Sequence, residues 1–204
     1  MADVPRTASE HPATGNFDYE IFHAESMDDL RAWLAVRHDE APGMWFASWK
    51  PATGRPHVPY ADLVEELLCW GWIDSTVKSL DDERRLQLCT PRKAKSTWTR
   101  LNRSRIEKME AAGRMQPAGW RAVEVAKGNG WWTILEPVED LIEPEVLRVA
   151  LDAAPAARAF WGGLPASPRK AMLWWVYSAV RDDTRERRVT RIVEEAAAGR
   201  RAQG

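Results

Sequence analysis

Trp72-Ile73-Asp74-Ser75-Thr76-Val77-Lys78-Ser79-Leu80, then Asp81-Asp82-Glu83, then Arg84-Arg85-Leu86-Gln87-Leu88-Cys89-Thr90, is the stretch that decides the fold. β-Branched, aromatic and aliphatic residues recur on both sides of an acidic triplet that reads as a turn, and Pro91 closes the second run. Two extended segments joined so tightly predict an antiparallel hairpin. Period-two alternation then places Trp72, Asp74, Thr76 and Lys78 on one face, with Ile73 and Val77 on the other.

Upstream of the hairpin, Tyr60, Leu63, Val64, Leu67 and Leu68 fall at helical spacing, and Gly71 ends that helix. Met44 to Lys50 is short and aromatic, a strand with Trp45 and Trp49 on one face. Ser26 starts an earlier helix, with Asp28 and Asp29 in its first turn and Pro42-Gly43 as its stop. Residues 1–20 carry Pro5, Pro12 and Gly15 among few large apolar residues and read as a disordered tail. Downstream, Ser96 is the expected N-cap of a helix from Thr97 to Ala112, closed by Gly113, and Pro117 opens a shorter one.

The rest is helical. Pro144, Pro155 and Pro168 each sit where a first helical residue is favoured, and Asp182 or Asp183 is placed to cap a last helix running to Gly199. The expected architecture is therefore α+β. A small antiparallel sheet with flanking helices spans 21–130, and a helical C-terminal module spans 140–200.

Composition bounds the function classes. The chain has 204 residues, 45% hydrophobic and 29% charged, with a net charge of −1, so no global field draws it to DNA or anionic membranes. No apolar run is long enough for a membrane span, and the first twenty residues lack the pattern of a signal peptide. Cys69 and Cys89 are expected to be reduced core thiols of a cytoplasmic protein. The twelve tryptophans are far above ordinary usage. Most are expected in the core, and those beside charge are candidates for a flat ligand.

Charge is locally segregated. Seven acids stand against Lys78 between Asp62 and Glu83, and nine bases stand against Glu107 between Arg84 and Lys108. The two blocks either neutralise each other or leave a basic platform for an anion. Arg92 and Lys93 precede the expected helix start, where backbone N–H groups attract anions. Trp98, Asn102, Arg105 and Met109 share a helical stripe, and Asp74 on the hairpin is the candidate partner of Arg105. Such a pair serves equally as a structural ion pair or as the floor of a polar pocket. His11, His23, His38 and His57 show no metal-ligand spacing, and neither a phosphate loop nor a nucleophile elbow is present. No cofactor, metal or catalytic residue is assigned.

At these residues the chain resembles the YdeI/OmpD-associated, OmdA-like family, whose description mentions bacteriocin protection. The resembling stretches are Cys69-Trp70-Gly71-Trp72-Ile73-Asp74, Ser79-Leu80-Asp81-Asp82 and Thr90-Pro91-Arg92-Lys93, then Ser96, Trp98, Asn102, Arg105, Gly113, Met115, Pro117 and Gly119. Ala154-Pro155-Ala156-Ala157, Phe160, Trp174, Thr184-Arg185 and Arg187-Arg188 resemble the family's short helical module. The resemblance runs over roughly residues 20–200. It implies a cytoplasmic protein linked to tolerance of bacteriocins or cationic antimicrobial peptides, and no reaction.

The expected function is binding of a small aromatic or peptidic ligand by Trp70, Trp72, Asp74, Lys78, Arg92, Lys93, Trp98, Asn102 and Arg105. The alternatives are a nucleic-acid or polyanion binder using residues 84–108, and an enzyme with Asp74 in a cleft.

Overall fold

The computed structural model describes residues 4–10 and 17–202. Four strands, β1 (Glu20–His23), β2 (Met44–Trp49), β3 (Trp72–Ser79) and β4 (Arg84–Pro91), form one sheet in the order β1-β2-β4-β3. Helices α1 (Met27–Arg37) and α2 (Tyr60–Cys69) are interleaved with the strands, and α3 (Arg100–Ala111) and α4 (Pro117–Gly128) follow them. The chain then continues through α5 (Glu136–Glu139), α6 (Glu145–Asp152), α7 (Pro155–Gly163), α8 (Ala166–Tyr177) and α9 (Asp182–Ala197). Two units result: the first holds residues up to 96 together with 101–132, and the second holds 97–100 together with the chain from 133 on.

The α+β class follows, with one difference in the sheet. It is mixed, because β1 pairs with β2 in parallel, while the β2–β4 and β3–β4 pairs are antiparallel. Part of the expected tail is also placed. The Ile21 N–H donates to the Arg6 carbonyl, the Ala8 N–H to the Tyr19 carbonyl, and Ala8 is buried. Residues 1–3 and 11–16 of that expectation lie outside the described residues.

One face of the sheet carries Met44, Phe46, Trp72 and Cys89, which pack with Leu30 and Leu34 of α1 and Leu63 and Leu67 of α2. The opposite face carries Ile21, Trp45, Ala47, Leu86 and Leu88, packed with Ala8 and Leu80. Helix α1 starts where the sequence places it. Ser26 Oγ accepts from the Asp29 N–H at 3.1 Å and Asp29 Oδ2 accepts from the Ser26 N–H at 3.0 Å, a reciprocal cap.

Two local expectations are overturned. Asp74 pairs with Cys89 and Val77 with Gln87, so three steps on β3 match two on β4. This bulge reverses the alternation and turns Lys78, opposite Leu86, to the other face from Asp74. Gln87 stabilises the bulge, its Nε2 donating to the Ser75 carbonyl at 2.9 Å. Helix α3 begins at Arg100 rather than Thr97, and Ser96 is not its N-cap. Ser96 Oγ instead accepts from the Lys93 N–H at 3.0 Å. The Glu139 carboxylate takes the Arg100 N–H at 2.9 Å, so the helix start already holds an anion of the chain's own.

The C-terminal end of α2 meets the start of α4 at two glycines. Gly71 has φ of +73°, and a Cβ on Gly119 would lie 2.2 Å from the Cys69 carbonyl oxygen. Backbone cannot yield as a side chain does. Gly119→Ala is therefore expected to destabilise the first unit by about 1–3 kcal/mol, read as a lower urea midpoint. An unchanged midpoint would mean that α4 is free to slide off α2.

Among the described residues the second unit's regular elements are helices, and they enclose a core of Leu147, Leu151, Trp161, Leu173, Val176 and Ile192. Pro155 opens α7 as expected, whereas Pro144 is the N-cap of α6 and Pro168 lies in the first turn of α8 behind an N-cap at Pro165. Asp182 is the first residue of α9, with Arg181 at the N-cap. Among the described residues, no helix is long and apolar enough to cross a membrane.

Candidate functional site

The end of α2 and the ends of β3 and β4 bring part of the expected set together. The Arg92 N–H donates to the Gly71 carbonyl at 2.9 Å, which fastens the exit of β4 to the turn after α2. Beside this junction lies a cleft of about 340 Å³, walled by Trp70, Trp72, Arg92, Lys93 and Arg121 together with His38 and Asp39. Its size falls at the lower end of the range for small-ligand pockets.

Each wall residue is held for a physical reason. The Trp70 indole N–H donates to Glu66 Oε1 at 3.1 Å, and its half-buried ring rests 4.6 Å from the His38 ring. Trp72 is 1% exposed, meets Trp33 edge-to-face at 5.6 Å, and donates its indole N–H to the His38 carbonyl at 3.2 Å. It is chiefly a core residue whose edge reaches the cleft. The buried setting of Arg92 pushes its pKa down to about 10, and the negative charge of Asp74 partly offsets this. Lys93 is exposed. Asp39 is the acid of the wall, and it is already engaged by Arg121 Nη2 at 3.3 Å and His38 Nε2 at 3.2 Å.

The other five expected residues are placed elsewhere. Asp74 Oδ2 accepts from the Tyr60 hydroxyl at 2.8 Å and from Gln87 Nε2 at 3.3 Å. Burial, and then this bond, push the Tyr60 phenol up to about 12, with the charge of Arg105 pulling the other way. The hairpin and α3 thus converge electrostatically on Tyr60, but Tyr60 and Gln87 occupy the place beside Asp74. Arg105 Nη1 bonds Asn102 Oδ1 at 3.4 Å, so the expected Asp74–Arg105 ion pair is not made. Lys78 faces away because of the bulge. Trp98 is buried, and its segment 97–100 folds with the second unit.

The basic run does not form one platform. Arg84 is buried against Asp81 at 2.6 Å, Lys108 pairs with Glu65 at 2.6 Å, and Arg100 pairs with Asp140 at 2.8 Å. Two of these pairs, Arg84–Asp81 and Lys108–Glu65, join the basic block to the acidic one. Sequence reasoning missed His38, Asp39 and Arg121. For α4 a signal existed: Ala118, Arg121, Ala122 and Val125 recur at helical spacing, with small residues where Gly71 needs room. The cysteines are core thiols. Burial pushes Cys69 up to about 11, and Cys89 also lies far above the ordinary thiol range for the same reason.

Comparison with known proteins divides the chain much as the fold does. Residues 140–199 match the family described as Bacteriocin-protection, YdeI or OmpD-Associated. The match covers that region alone. Residues 22–122 match a domain of unknown function (DUF8412). The motifs between Cys69 and Gly119 therefore lie in the domain of unknown function, and the bacteriocin-protection family accounts for the OmdA region alone. No curated protein and no solved structure matches the chain.

Proposed function

We propose that the protein binds a small aromatic ligand bearing an acidic group, in the cytoplasm, and that this binding serves tolerance to a toxic compound. The observation that carries the reading is the first unit's cleft. There an indole held by Glu66 stands beside Arg92, Lys93 and Arg121, and the acid of the wall is already paired. Indole offers a stacking face, and guanidinium and ammonium groups set the sign of the ligand's charge. A cationic antimicrobial peptide would bring like charge to these bases. A small anionic aromatic suits both the volume and the field. The OmdA region supports the link to toxin tolerance.

Isothermal calorimetry with benzoate-class and phenyl phosphate-class compounds tests this. Saturable binding is expected, weakened at least tenfold by Trp70→Leu and severalfold by Lys93→Ala, with melting temperatures little changed. Absence of binding across the panel, or binding indifferent to both substitutions, would overturn it.

A further inference from the structure

The second unit contains a larger cleft than the first, of about 690 Å³, walled by α8, α9 and residues 201–202. Met172 and Ala202 are buried there, and Trp174 and Trp175 are half-buried. The two bases of the wall are Arg188 and Arg201, and none of the lining residues is acidic. The Arg188 guanidinium sits 5.4 Å from the centre of the Trp175 ring, and Nη1 donates to both the Trp175 carbonyl and Ser178 Oγ. Both bonds use Nη1, so they fix the side chain while leaving the Nη2 edge to an incoming anion.

We infer that this cleft is a second binding site, for a planar fused-ring aromatic carboxylate. A guanidinium held against an indole is oriented before any ligand arrives, which reduces the ordering cost of binding. A carboxylate is the planar anion that guanidinium recognises with two parallel bonds. The apolar remainder of the wall and a volume twice that of the first unit's cleft leave room for a two-ring body. Arg201 is exposed at the rim, where it adds attraction without anchoring the fold.

The test uses the full chain and three probes of one shape: 2-naphthoate, 2-naphthylmethanol and 2-naphthylmethylammonium. By calorimetry, 2-naphthoate is expected to bind, the alcohol at least tenfold more weakly, and the ammonium not measurably. In ¹⁵N-resolved NMR the indole signals of Trp174 and Trp175 are expected to shift on addition of naphthoate, and Arg188→Gln is expected to abolish those shifts without changing the response of the Trp70 indole. That pattern separates this site from the first unit's cleft. Arg188→Gln is expected to weaken binding at least tenfold. Should that variant unfold, Arg201→Gln leaves the fold untouched and is expected to weaken binding severalfold. Equal binding of all three probes, shifts confined to Trp70, or affinity unaffected by Arg201→Gln would each overturn the inference.

Discussion

Trp72→Ala is expected to lower the stability of the first unit by about 3–5 kcal/mol. The indole is 1% exposed, packs edge-to-face on Trp33 at 5.6 Å, and lies in the core shared by the sheet, α1 and α2. Its removal opens a cavity the size of the largest side chain, and it leaves the His38 carbonyl without the indole N–H that it accepts at 3.2 Å. Against a total of roughly 5–15 kcal/mol for a domain, this is a large fraction. A fall in melting temperature of roughly 10–20 °C follows from the enthalpy per residue. Circular dichroism melts check it, with Trp70→Leu beside it. Trp70 is half-buried at the cleft, so its substitution is expected to affect ligand affinity far more than melting. If Trp72→Ala melted like the wild type and lost only binding, the two tryptophans would have exchanged roles.

That contrast shows what the sequence carried and what it did not. Trp70 and Trp72 are two residues apart in one motif, and nothing in their spacing says that one indole lies in the core. The answer depends on Gly71, whose φ of +73° turns the chain between α2 and β3, and on the seating of α4 over that turn. The hairpin was legible because local chemistry determines it: a run of extended-chain residues, an acidic turn and a closing proline. In the turn, Asp81 Oδ1 accepts the N–H groups of Glu83 and Arg84 at 2.9 and 2.7 Å.

Features set by distant partners were not legible. β1 has four residues and no alternation long enough to announce a strand, and its parallel partner is β2, on the far side of α1. The bulge in β3 leaves no mark either, since Ser75, Thr76 and Val77 are all exposed and satisfy either register. The start of α3 is capped by Glu139, thirty-nine residues away, whereas the local candidate Ser96 is occupied by the Lys93 N–H. Capping rules choose among neighbours, and here the cap is not a neighbour. The same blindness hid the cleft's Asp39–Arg121 pair, which spans eighty-two residues.

Glu66→Ala is expected to destabilise the first unit by about 2–4 kcal/mol and to weaken binding at the cleft as well. Glu66 is 5% exposed, and its carboxylate accepts from Arg114 Nη2 at 2.6 Å, Arg31 Nε at 3.1 Å and the Trp70 indole N–H at 3.1 Å. Removing one partner of a buried ion pair usually costs more than the pair contributes, because the remaining charge stays desolvated. Here the side chains of Arg31 and Arg114 are 46% and 32% exposed, so both can turn partly to water, and the cost falls towards the lower part of that range. The Trp70 indole has no such escape without leaving its position over His38. Glu66→Gln keeps an acceptor for the indole and removes the charge. It is therefore expected to restore affinity more fully than stability. Urea denaturation and calorimetry on the two variants separate the effects. If Gln rescued stability while affinity stayed lost, the charge of Glu66, rather than its hold on Trp70, would be what the cleft requires.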